Sequence, residues 1–189
     1  MSTKRNKISN ARRLLFFAAL IAFIVGMFFL LRELLFPKAY VDIVDKYSQQ
    51  YGISKDFVFA VINTESGFDT EATSDVGARG LMQIMNDAFL WSRKHLDVIH
   101  TDITYDDLFK PEYNVEYGCC MLGYYFDKYQ SYELSAAAYH AGMNKVDEWI
   151  SDGIINPDNF DAGDIPSKST RHYVNKVITA YKAYGFLYD

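Results

Sequence analysis

The 189-residue sequence has only two cysteines, Cys119 and Cys120, and they are neighbours. Adjacent residues on a helix point in different directions, so a bond between them would demand distorted geometry, and no disulfide framework can staple the fold. The pair reads as two small core residues. The four histidines, His95, His100, His140 and His172, form no ligand spacing with these cysteines, so neither a metal nor a cofactor is expected. Strand-like alternation and internal repeats are also missing. Positive charge is scarce beyond residue 36. Of 19 basic and 24 acidic residues, residues 1–36 hold six and one, which leaves 13 against 23, a net −10. Such a surface repels nucleic acid and favours a neutral or locally polar polymer as ligand.

The chain does contain one long apolar run. Leu14 to Leu31 is unbroken by any polar residue, and as a helix it spans about 27 Å, close to a hydrocarbon core of about 30 Å. Lys4, Arg5, Lys7, Arg12 and Arg13 precede it. This charge bias keeps the N-terminus in the cytoplasm and exports the residues after Phe36. A cleaved signal peptide would have a shorter core and a small-residue cleavage site, and Arg32-Glu33-Leu34-Leu35-Phe36 offers none. The expected organisation is a cytoplasmic basic tail at 1–13, a single-pass membrane anchor at 14–36 and one extracytoplasmic domain at 38–189.

That domain reads as all-α. Tyr40, Val44, Tyr47 and Tyr51 make one stripe closed by Gly52, and Ser54 is placed to cap the next helix, with Asp56 in its first turn. Further helices are expected over about 87–95, from Pro111 through Tyr129, over 134–141 and around Val146 to Ile150. Residues 153–168 lack periodicity and are rich in turn formers, which suits a loop along a cleft. A last helix, capped by Ser167 or Ser169, carries Tyr173, Val177, Tyr181 and Tyr184.

The chemistry concentrates in Asn63 to Ile84, NTESGFDTEATSDVGARGLMQI. Val58, Val61 and Ile62 recur at helical spacing, so Glu65 lies on the buried side of the last turn before Gly67 stops the helix. A carboxyl held half out of water has a raised pKa and donates a proton near neutrality. Gly77 and Gly80 then bracket a tight turn that delivers Gln83, whose side chain offers an acceptor and a donor to a polar ligand. A small irregular hairpin is expected over 74–84. For Met82, packing in the core is the preferred reading.

ESGFD, Ser74, GARGLMQIM, AAYHAG at 137–142 and STRHYV at 169–174 together resemble the catalytic domain of the soluble-lytic-transglycosylase family, over roughly residues 40–186. The resemblance implies a lysozyme-like (goose-type) helical fold and cleavage of peptidoglycan glycan strands. In that family one glutamate serves as acid and then as base while the sugar's own 6-hydroxyl attacks, which leaves 1,6-anhydro-muramic ends. Carried over, Glu65 is the catalytic residue, and Ser74, Gln83, Met85, Tyr139, His140 and Tyr173 line the substrate cleft. Two positions depart from the pattern. His140 stands where the family has asparagine, and Ser169 where it has glutamate. Two other activities remain open: a hydrolytic muramidase, with Asp69, Glu71 or Asp75 as a second carboxylate, and a non-catalytic wall-binding or assembly protein. Expected partners are glycan strands and the membrane, with no nucleic acid and no protein partner specified.

Overall fold

The computed structural model describes residues 2–188, with side chains from Arg13 onward. It divides into two units, Met1–Pro37 and Lys38–Asp189. The first unit is α1 (Ser2–Leu35). Its stretch Arg13–Leu35 is long and apolar enough to cross a membrane, and no residue of its apolar window is buried. Helical backbone begins at Ser2, so the expected basic tail continues the same helix. The side chains of Lys4, Arg5, Lys7 and Arg12 lie outside the described residues.

The second unit contains α2 (Val41–Gln50), α3 (Lys55–Glu65), α4 (Asn86–His95), α5 (Pro111–Tyr129), α6 (Tyr132–Ala141), α7 (Met143–Ser151) and α8 (Lys168–Tyr188). Among the described residues there is no strand. Two isolated antiparallel bridges, Thr73 with Arg79 and Arg79 with Ile84, form the small hairpin between α3 and α4.

The centre is α3. Phe57 to Ile62 are each at most 1% exposed, so the expected one-sided stripe is instead buried all the way round. The reason is tertiary: α2 and α8 both pack on α3. Phe57 meets Tyr181 with ring centroids 5.6 Å apart, and Phe59 meets Tyr184 at 5.7 Å. Each such side chain contributes about 1.5–3 kcal/mol by burial. The helix ends where the Ser66 and Gly67 N–H groups both donate to the Ile62 carbonyl, at 3.0 and 3.2 Å. Gly67 there has φ +60°, a conformation that a side chain resists.

One capping expectation changes and another is narrowed. Ser54 occupies the N-cap of α3 but makes no capping hydrogen bond. At α8 the cap is Ser167 rather than Ser169, because its hydroxyl accepts the Thr170 N–H at 3.3 Å. Cys119 and Cys120 are free and buried on α5. The same helix buries Glu116, whose carboxylate accepts from the Ile99 and His100 N–H groups, the His100 ring and the Tyr51 hydroxyl. This carboxylate ties the 96–104 loop down.

Candidate active site

Glu65 is half-buried on the final turn of α3, and α8 brings Tyr173 to it. The Tyr173 hydroxyl donates to Glu65 Oε1 at 2.7 Å. Burial pushes the Glu65 carboxyl up to about 7, against the opposing pull of the Tyr173 bond and the nearby Lys176 ammonium. Lys176 is itself held by the Thr64 carbonyl at 3.2 Å. The phenols of Tyr139 and Tyr173 are both pushed well up by burial and by the Glu65 charge beside them. At neutral pH they act only as neutral hydroxyls.

The turn opposite is built from three left-handed residues, Gly77 (φ 87°), Gly80 (φ 70°) and Gln83 (φ 47°). Gly80 has no substitute. A Cβ there would lie 2.4 Å from both Asn114 Nδ2 and the Leu108 carbonyl oxygen. The buried Asn114 side chain accepts the Met82 N–H at 2.8 Å and donates to the carbonyls of Arg79 at 2.9 Å and Leu108 at 2.8 Å. The Tyr105 hydroxyl spans the base of the hairpin, 2.6 Å from the Gly77 carbonyl and 2.9 Å from that of Ile84. Ser66 joins the turn to α3 by donating to the Leu81 carbonyl at 2.8 Å.

The sequence-predicted residues do not all arrive in the expected roles. Gln83 has no free donor, since its Nε2 bonds the carbonyls of Ala72 and Gly80, each at 3.0 Å. Only its carbonyl oxygen remains for a ligand. Tyr139 donates to the Met82 carbonyl at 2.8 Å rather than to the carboxyl. Ser74 accepts the Ala78 N–H at 3.0 Å and closes the loop, with no bond to Glu65, Tyr139 or Tyr173. Met82 is fully buried, its sulfur against Gly118. His140 lies on the Tyr173 ring at 4.6 Å between centroids, and its Nδ1 is 3.2 Å from Thr170 Oγ1. Burial lowers its pKa. Ser169 meets only the Ser167 hydroxyl, at 3.0 Å.

Gln83, Met85, Met121, Tyr139 and His140 line a hollow of about 330 Å³ between α4 and α6. Met85 is 40% exposed at its edge. The composition, apolar side chains with a few hydroxyl and amide groups, suits a sugar ring. Among the described residues no group of three or more His, Cys, Asp or Glu is placed to hold a metal. Glu65 and Tyr173 are not among the residues that line the hollow, but the Glu65 charge acts on Tyr139, which does. A protonated carboxyl near neutrality, oriented by a phenol, can protonate a leaving oxygen.

Asn114, Tyr105, Ser66 and Lys176 are absent from the sequence-based site. Their partners include residues 15 to 112 positions away, and local patterning carries no trace of such pairings. The asparagine just after a helix-starting proline was the one available hint.

Residues 42–154 match the Transglycosylase SLT domain family. The putative soluble lytic murein transglycosylase of Haemophilus influenzae is 36% identical over 159 residues, which cover 81% of this chain and 25% of that protein. Membrane-bound lytic murein transglycosylase C of Pectobacterium atrosepticum is 31% identical over 173 residues, covering 77% of this chain and 46% of that protein. In structure, the 70 kDa soluble lytic transglycosylase of Escherichia coli superposes with a TM-score of 0.71 at 32% identity, over 82% of this chain and 25% of that one. The chain thus spans about a quarter of the length of the soluble relatives. On the strength of this match and of a helical fold shared with those structures, the chain belongs to the transglycosylase SLT domain family.

Proposed function

We propose that this protein is a membrane-anchored lytic transglycosylase that cuts the MurNAc-GlcNAc bond of peptidoglycan. Protonated Glu65 gives its proton to the glycosidic oxygen as the C1–O bond breaks. The resulting carboxylate then takes the proton of the muramic 6-hydroxyl as that oxygen bonds to C1, so the acid is regenerated and no water is consumed. Tyr173 orients the carboxyl. Gln83 through its carbonyl oxygen, with Met85, Tyr139 and His140, holds the sugar, and Ser74 contributes by shaping the turn.

The observation that carries this reading is the Glu65 carboxyl raised to about 7 by burial and bonded to Tyr173 at 2.7 Å. Hydrolysis by a pair of carboxylates has less support. Asp69, Glu71 and Asp75 are all exposed, and Asp69 is occupied by the Glu71 N–H at 2.9 Å. The apolar α1 supports a retained anchor with the N-terminus in the cytoplasm and the domain outside.

Mass spectrometry of peptidoglycan digested by the wild type and by Glu65→Gln tests the activity. Anhydro ends released by the wild type alone are expected, whereas reducing ends would point to a muramidase. Equal wall effects of both proteins would point to a non-catalytic role. Protease added outside intact spheroplasts should digest the domain and spare the α1 segment.

A further inference from the structure

The last carbonyls of a helix have no N–H group of their own helix to accept from, and in α3 one of these belongs to Thr64, the residue before Glu65. The Phe68 N–H stands four residues on, in line for that carbonyl, but donates to the Ser66 hydroxyl at 3.1 Å, while the Ser66 and Gly67 N–H groups go to the Ile62 carbonyl. The Thr64 carbonyl is left open. Lys176 of α8 takes it, with 3.2 Å from Nζ to oxygen. Tyr173 lies three residues earlier on the same face of α8 and bonds the carboxyl itself.

The ammonium is thus moored beside the catalytic carboxyl without touching it, since Lys176 and Glu65 form no ion pair among the described residues. That separation decides what the charge can do. Burial raises the Glu65 carboxyl to about 7, and the Tyr173 bond and then the Lys176 charge pull against it. An ammonium about 4 Å from a carboxylate lowers its pKa by about three pH units, which would undo the rise from 4.5 to about 7. The acid would then be ionised at neutrality. Lys176 is instead exposed and held by the neighbouring peptide, so its pull is screened and the proton stays on Glu65. The Tyr139 phenol of α6 also faces this charge, but it is neutral.

We propose that Lys176 is a positioning residue for the reaction, a counter-charge fixed by the end of α3 that steadies the Glu65 carboxylate between loss of its proton to the leaving oxygen and recovery of one from the muramic 6-hydroxyl. It rests on the reading of Glu65 as acid and base. While Glu65 is protonated the ammonium faces a neutral group and adds little. Once the proton has left, it faces a half-buried anion, and an interaction stronger in the charged state than in the resting one lowers the barrier between them. A plain helix cap would need only a donor, whatever its charge.

The test compares the full-length wild type with Lys176→Arg, Lys176→Gln and Lys176→Glu in detergent micelles. Two quantities are read: the carbon-13 NMR titration of the Glu65 carboxyl, assigned by its loss in Glu65→Gln, and the pH-rate profile on purified peptidoglycan. Lys176→Arg should keep both as they are. Lys176→Gln keeps an N–H donor without the charge, so the titration and the alkaline limb should both move up by about half a pH unit and the level rate should fall about twofold. Lys176→Glu should move them about twice as far, and 1 M salt should erase the difference in titration between the wild type and Lys176→Gln. A Glu65 titration identical in all four proteins, or a rate that Lys176→Gln preserves as well as Lys176→Arg does, would overturn the counter-charge. The titration needs no turnover, whereas anhydro ends still released by Glu65→Gln would overturn the reading of Glu65 as the acid, so the two failures are distinguishable.

Discussion

The Tyr173 hydroxyl donates to the Glu65 carboxylate at 2.7 Å across 108 residues of sequence. The bond favours the charged carboxylate, yet burial outweighs it and holds the group at about 7. The site is therefore a balance between desolvation, which makes Glu65 an acid near neutrality, and a phenol that fixes where the proton points.

If Glu65 must begin protonated, activity should be level below pH 7 and fall about tenfold per pH unit above it. Tyr173→Phe removes the bond that favours the charged form, so the alkaline limb should move to higher pH. Its rate on the level part should drop about tenfold as the carboxyl loses its orientation. A pH-rate profile of both proteins on purified peptidoglycan checks this. An unmoved limb in the variant would contradict that balance.

The same carboxyl has a stability cost with a definite sign. Its folded pKa of about 7 lies above the ordinary value of 4.5, so the folded state holds the proton more tightly. The contribution of this group is fully present below about pH 4, is lost as pH rises to about 7, and is level beyond, for a total of about 3 kcal/mol. Glu65→Gln should then match the parent at pH 4 and exceed it by up to about 3 kcal/mol at pH 8 in urea unfolding. A difference independent of pH would contradict this.

Asn114→Ala leaves the Met82 N–H and the Arg79 and Leu108 carbonyls without their partner in a buried place. A loss of about 3 kcal/mol or more is expected. Activity should fall further than the folded fraction does, because the turn presenting Gln83 loosens. Gly80→Ala should be worse still, since its Cβ has no room and the backbone conformation is unfavourable. Chemical unfolding together with activity per folded molecule distinguishes the two effects.

His140 is neutral at neutral pH, because burial lowers its pKa from 6.5. Its folded form resists protonation, so its contribution to stability is present above pH 6.5 and is lost as pH falls below. His140→Asn keeps a polar group near Thr170 and should retain activity within about threefold at pH 7, whereas His140→Leu should lose about tenfold as Tyr173 loses its support. The asparagine variant should also gain in melting temperature relative to the parent at pH 5 and show little change at pH 8. Thermal melts at the two pH values, with rates at pH 7, measure both.

Much of the fold is legible one helix at a time. The tyrosine stripe of α8, the proline start of α5 and the stop at Gly67 are local signals, and the helices form where those signals stand. Ser54 shows the limit, because a capping residue in the right place still makes no capping bond. At the site, Glu65 and the glycine turn could be read from spacing. The loss of the Gln83 donor to Ala72 and Gly80 could not, since which amide protons survive for a ligand depends on how the turn closes.

The linear order of residues determined the apolar span of α1, the helical periods, the glycines that allow left-handed backbone and the presence of one carboxyl at a helix end. Those are short-range matters, fixed by backbone geometry and by the apolar content of a few turns. Only the tertiary structure decided that α3 is buried on every side, that Asn114 clamps the hairpin, and that Tyr173 rather than Tyr139 meets Glu65. Desolvation and hydrogen bonding depend on what distant segments bring alongside. The proton affinity of Glu65 is therefore a property of the assembled helices and cannot be assigned to its own stretch of chain.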